Sequence, residues 1–109
     1  MHIHWTEEAE GDIDSIESYL EGEKLDHETI KSIINPIILA PYRLKKHPRS
    51  GRKVPEINHP DIREILHKKY RIIYVLSDEE PKKIHILNVI HGRQDIQPFL
   101  SQIWQRFLK

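Results

Sequence analysis

Three apolar stretches between residues 62 and 90 constrain this chain more than anything else in it. Ile62–His67, Tyr70–Leu76 and Ile84–Ile90 each have strand length, and the third is rich in β-branched residues. Asp78-Glu79-Glu80-Pro81 makes a polar turn between the second and third. The run Arg71-Ile72-Ile73-Tyr74-Val75-Leu76 is apolar at successive positions, and successive side chains of a strand point to opposite faces. A strand apolar on both faces belongs at the centre of a sheet covered on both sides.

The flanking segments supply the covers. Ile3 and Trp5 alternate with His4, which predicts a short first strand. Thr6 is placed to cap a helix, with Glu7 and Glu8 at the positive end of its dipole. Ala9, Ile13, Ile16 and Leu20 form one apolar face of that helix, and Gly22 is a stop signal. A second helical stretch runs from about Asp26 to Lys46, with Ile30, Ile33, Ile34, Ile37, Ile38 and Leu44 on its apolar side. Asn35-Pro36 suits a cap and restart, and Pro41 lies deeper, so a bent or split helix is expected. His47-Pro48-Arg49-Ser50-Gly51 reads as a turn. After the third strand of the central run, Asp95 can cap a last helix whose stripe is Phe99, Leu100, Ile103, Trp104, Phe107 and Leu108. Core is the expected fate of that stripe, although a face without a home on its own sheet would be a partner site.

The resulting order is β-α-α-β-β-β-α. It predicts an α+β domain: a four-stranded, mainly antiparallel sheet with an N-terminal two-helix hairpin on one face and a C-terminal helix. The chain has 109 residues, which suits a single domain spanning 1–109. There is no internal repeat.

Composition narrows the chemistry. The absence of cysteine excludes disulfides, thiolate nucleophiles and Cys-ligated zinc. No apolar run is long enough to span a membrane, and the N-terminus lacks a basic region followed by a long apolar stretch, so a cytoplasmic protein is expected. Lys+Arg and Asp+Glu both number 17, for zero formal charge. The sum hides an asymmetry. Ten of the acids but only one of the bases, Lys24, lie in residues 1–28, leaving a basic remainder.

Among eight histidines, His2 and His4 point to the same side of the first strand. Zinc would need further ligands from His59, His85 or His91, and no recognised spacing such as His-Glu-x-x-His is present. No metal and no cofactor are expected. No nucleophilic serine motif is present either, and with four glycines there is no glycine-rich phosphate loop.

Three stretches carry a resemblance: Ser50-Gly51-Arg52-Lys53-Val54-Pro55-Glu56; Ile62-Arg63-Glu64-Ile65 leading into Tyr70-Arg71-Ile72-Ile73-Tyr74; and Val89-Ile90-His91-Gly92-Arg93-Gln94-Asp95-Ile96. In that order, after an acidic helix opening Trp-Thr-x-x-Ala, they resemble the ParE/RelE family of toxins. The resemblance implies the toxin of a type II toxin–antitoxin module, often a plasmid stabilisation system, neutralised by a cognate antitoxin. RelE-like members cleave messenger RNA in the ribosomal A site, whereas ParE-like members poison DNA gyrase. The turn through Pro55-Glu56 and the His-Gly-Arg stretch sit closer to the ParE side.

If the chain were a metal-independent endoribonuclease, the resemblance would assign its chemistry to Arg63, Arg71, His91 and Arg93. Arginines would grip phosphate, and His91 or His67 would exchange protons. Tyr70, Glu56 and Glu64 are lesser candidates. Against that, Glu64 stands amid the cations and Phe99 lacks the hydroxyl that RelE-like enzymes often place after the last strand. The plainer reading makes these arginines strand-borne charges that pair with acids, either within the fold or on an antitoxin. A chain that only binds its antitoxin is a third reading, and a homo-oligomer or a heteromeric toxin–antitoxin complex would suit any of the three. A shared site requires Arg63, Arg71 and Arg93 to lie in one surface region, away from the acidic face of the first helix.

Overall fold

The computed structural model describes residues 1–77, 82–92 and 94–107. Its elements are β1 (His2–Trp5), α1 (Glu7–Gly22), α2 (His27–Leu39), a 3-10 segment (Ala40–Lys45), β2 (Arg52–Lys53), β3 (Ile62–His67), β4 (Tyr70–Ser77), β5 (Lys83–His91) and α3 (Gln97–Phe107). The three central strands fall within a residue or so of their sequence bounds. The acidic turn expected at 78–81 lies outside the described residues.

The sheet has five strands in the order β1-β5-β4-β3-β2. That corrects the expected four, and the sheet is mixed: β1 runs parallel to β5, while the other pairs are antiparallel. The added strand is two residues long and too short to leave a periodicity. It forms because Arg52 and Lys53 lie opposite Glu64 and Arg63 at the edge of β3. Helices α1 and α2 and the other strands lie between β1 and β5 in sequence, which gives this parallel pair the long connection it needs.

Two apolar clusters explain why β4 is apolar on both faces. On one side Ile65, Tyr70, Ile72, Tyr74, Ile84, Ile86 and Val89 meet Ala9 of α1, Ile37 of α2 and Leu44 of the 3-10 segment. On the other, Ile62, Ile73, Val75, Leu87 and Ile90 meet Val54, Ile96 and Ile103 of α3. Thus α3 lies on the face opposite α1 and α2, and the part of its stripe formed by Phe99 and Ile103 is core. The side chains of Leu100, Trp104 and Phe107, and all of Leu108, lie outside the described residues. Asp95 accepts the amide of Gln97, the first residue of α3, at 3.0 Å.

The helical hairpin also needs correction. α2 does not restart at Pro36 but runs through it, and Asp26 caps the helix by accepting the Thr29 amide at 2.7 Å. The split comes at Ala40, where a 3-10 segment with Pro41 in its first turn takes over. The second arm is therefore two segments, fastened to α1 by Leu20, Ile30 and Ile34.

β5 carries a bulge. Tyr74 pairs with Ile86 and Ile73 with Asn88, so Leu87 is the extra residue. A bulge frees backbone groups that must find partners when buried. Helix α1 and its cap provide them: Thr6 Oγ1 donates to the Ile86 and Leu87 carbonyls at 2.7 and 3.2 Å, and Asp12 accepts the Val89 amide at 2.8 Å.

Candidate functional site

Alternation along the strands separates the two arginines that sequence reasoning placed together. Arg63 lies opposite Tyr74, on the face of α1 and α2, whereas Arg71 lies opposite Leu66, on the face of α3. The expectation that Arg63, Arg71 and Arg93 share one surface region therefore fails for the pair that can be placed. Arg93 lies outside the described residues.

Arg71 is held in an ionic chain. Its Nε donates to Glu64 Oε1 at 2.6 Å, and its two Nη atoms donate to the Glu56 carboxylate at 2.8 and 2.9 Å. The other Glu64 oxygen accepts from Arg52 Nε at 2.6 Å. Glu64 is fully buried and the Arg71 side chain is 11% exposed, so the Arg52–Glu64–Arg71–Glu56 chain runs from the surface into the sheet and out again. Hydrogen bonds donated to the Glu56 carboxylate raise the Arg71 pKa, and the same contacts hold the Glu56 carboxyl below its ordinary range. A bidentate carboxylate occupies the guanidinium fork in the geometry a phosphate would use.

Arg63 serves the backbone. It donates to the carbonyls of Pro60 (2.9 Å), Gly51 (2.9 Å) and Arg49 (3.3 Å), tying the turn before β2 to the loop before β3. Nearby, Tyr74 is buried; its hydroxyl donates to the Pro48 carbonyl at 2.8 Å and accepts the Gly51 amide at 3.1 Å. A Cβ on Gly51 would stand 2.6 Å from both the Glu64 carbonyl and the Tyr74 hydroxyl, so only glycine fits.

His91 and Tyr70 lie opposite each other on β5 and β4, their rings edge to face at 5.8 Å. They line a cleft of about 400 Å³ between α1, the ends of β4 and β5 and the start of α3, together with Asp12, Tyr19, Lys69 and Phe99. Burial raises the Tyr70 pKa, and burial also raises that of Asp12 against the hydrogen bonds from Val89 and Asn88. This cleft gathers acid–base groups on the α1 side of the sheet, away from Arg71. His67, beside Tyr70 across the hairpin, lines a separate hollow with Lys68, Lys69 and Ile33.

One surface feature escaped motif reading. Arg43, Lys45, Lys46, Arg49, Arg52 and Lys53 are all exposed on the 3-10 segment, the following turn and β2. Its signal was present as a local charge run, but the motifs drew attention to the strands instead. Of these six, Arg49 pairs with Asp61 and Arg52 with Glu64. The acids of the first helix, among them Glu7, Glu10, Asp14, Glu17 and Glu21, are exposed at the other end of the charge distribution.

Comparison with known proteins places this layered α+β domain among the toxins of toxin–antitoxin systems. Residues 3–96 match the family described as the ParE toxin of the type II toxin–antitoxin system parDE, and the chain belongs to that family. A solved chromosomal ParDE system of P. aeruginosa aligns with a TM-score of 0.67 at 20% identity, covering 84% of this chain and 95% of that one. The RelBE2 toxin–antitoxin complex of Mycobacterium tuberculosis aligns with a TM-score of 0.50 at 19% identity, covering 83% and 95%. At such identities the likeness is one of fold. No curated protein matches the chain significantly. Among the described residues, no helix is long and apolar enough to cross a membrane, and no group of three His, Asp or Glu side chains is arranged to hold a metal.

Proposed function

We propose that this chain is a toxin that inhibits DNA gyrase by protein–protein contact and is neutralised by a cognate antitoxin in the cytoplasm, as part of a plasmid stabilisation module. The carrying observation is the engagement of its arginines. Phosphate chemistry needs cations directed together at one reacting group, and here Arg71 is held by two carboxylates while Arg63 binds carbonyls on the opposite face. Their roles are structural. Membership of the ParE toxin family supports the same reading.

The antitoxin contact falls on the basic segment from Arg43 to Lys53, where an acidic segment would find Lys45, Lys46 and Lys53 exposed. A ribosome-dependent mRNA endoribonuclease would instead have to work from the cleft of Tyr70, His91 and Lys69, together with Arg93. Tightly controlled expression, with replication, supercoiling and message integrity followed separately, distinguishes the readings. Arrested replication and DNA damage signalling with intact messages is the expected result. Cut messages, restored to full length by Arg93→Ala, would establish the nuclease. No effect on growth would leave a chain that only binds its antitoxin.

A further inference from the structure

The parallel pairing of β1 with β5 puts two histidines from opposite parts of the sequence side by side. His4 and His85 are register partners, their rings meet edge to face with centroids 5.2 Å apart, and their Nδ1 atoms approach to 3.1 Å. Two protonated Nδ1 atoms cannot sit that close, so at least one presents a lone pair to the other. His4 is exposed and His85 half-buried, so the gap between them opens to solvent at the sheet edge.

We propose that His4 and His85 form a two-imidazole chelate for a divalent transition ion, zinc above all, that fastens β1 to β5. Imidazole nitrogens bind zinc at roughly 2.0–2.1 Å, which separates two tetrahedral ligands by about 3.3 Å. The observed gap is within a few tenths of an ångström of that bite. Both lone pairs become available when the donating ring moves its proton to Nε2, a tautomer shift without net proton release. Among the described residues no third histidine, aspartate or glutamate joins the pair, and the two imidazoles are the whole of the site proposed. His2 shares the face, but it stands opposite Lys83, one same-face rung away from the His4–His85 pair. His2 is therefore outside the chelate.

The backbone is already arranged to hold the pair. Thr6 donates both its amide and its hydroxyl to the Ile86 carbonyl, at 3.1 and 2.7 Å, pinning the end of β1 one rung beyond His4. Val75, across from His85 on β4, is apolar and offers no competing ligand. A metal binding only the folded arrangement stabilises it by mass action, and the edge strand is where that stabilisation acts.

The test titrates the untagged chain with zinc chloride near neutral pH, following its melting temperature and the imidazole proton resonances. The melting temperature should rise with zinc concentration, and the His4 and His85 resonances should shift together and saturate at one equivalent. His4→Ala, on an exposed edge position, should weaken zinc binding at least tenfold, while His2→Ala should change it less than twofold. The proposal is overturned if zinc moves neither resonance, or if His4→Ala binds zinc as tightly as the parent.

Discussion

Glu64→Gln isolates the ionic chain in a single position. The substitution keeps the size and burial of the side chain but removes its charge, leaving an amide between two guanidinium Nε donors that now hold carboxylate oxygens at 2.6 Å. One amide oxygen can serve one donor, and the amide nitrogen turns its own protons toward the other. Loss of one partner from a fully buried pair costs about 3–5 kcal/mol. Two features reduce that figure here: Arg52 is 56% exposed and can turn to water, and Arg71 keeps its bidentate contact with Glu56. The expected loss is about 2–4 kcal/mol. With a urea slope of about 2 kcal/mol/M, usual for a small domain, the unfolding midpoint falls by about 1–2 M with the slope unchanged. Arg52→Ala, which removes only the exposed partner, should cost less than about 1 kcal/mol. Replacing the central pair together, as Glu64→Leu with Arg71→Met, should recover most of the loss because the two charges left without these partners, Arg52 and Glu56, reach solvent and none stays buried. A Glu64→Gln midpoint within about 0.2 M of the parent would refute the structural role assigned to Arg71.

Tyr74→Phe strands the Gly51 amide and the Pro48 carbonyl, and chemical denaturation should show a loss of about 1–3 kcal/mol. Thr6→Ala removes both the α1 cap and the hydroxyl that serves the β5 bulge, so it should cost about 1–2 kcal/mol in the same assay, more than an exposed cap would. Glu56 has its pKa depressed by Arg71, so its contribution is present above the ordinary value of 4.5 and is lost as pH falls through the lower folded value. Glu56→Gln should therefore lower stability at neutral pH by about 1 kcal/mol, a screened figure since the carboxylate is 32% exposed, and lessen the loss seen on acidification below pH 4.5. A parallel pH profile for the two proteins would contradict that assignment.

The central strands and the two layers around them were legible because burial on both faces writes itself into the residues of β4. Thr6 carried the start of α1 equally well, since its side chain caps that helix, whereas Asp26 marked the start of α2 only as a bound and proves to be its cap. Pro36 misled, because an Asn-Pro pair has the form of a helix start, whereas tertiary packing of Ile34 and Ile37 carries α2 straight through it. β2 was invisible because two charged residues have no period. The candidate site was misread for a related reason. Arg63 and Arg71 look alike as cations, but strand parity sends them to opposite faces, and their partners come from turns whose geometry no local pattern specifies. Glu64 gave the useful warning: a carboxylate amid the cations is there to neutralise them. Gly51, legible in the sequence as a turn and motif residue, is explained by the lack of room for a Cβ.

The central claim is that this toxin acts on a protein and leaves RNA intact, and purified components test it most directly. Gyrase supercoiling of relaxed plasmid is measured with increasing amounts of the chain, alongside programmed ribosomes carrying a labelled message. The account predicts that supercoiling falls with toxin concentration while the message stays whole, and that Arg71→Met combined with Glu64→Leu retains this inhibition. Full supercoiling beside a message cut in the ribosomal A site would contradict it.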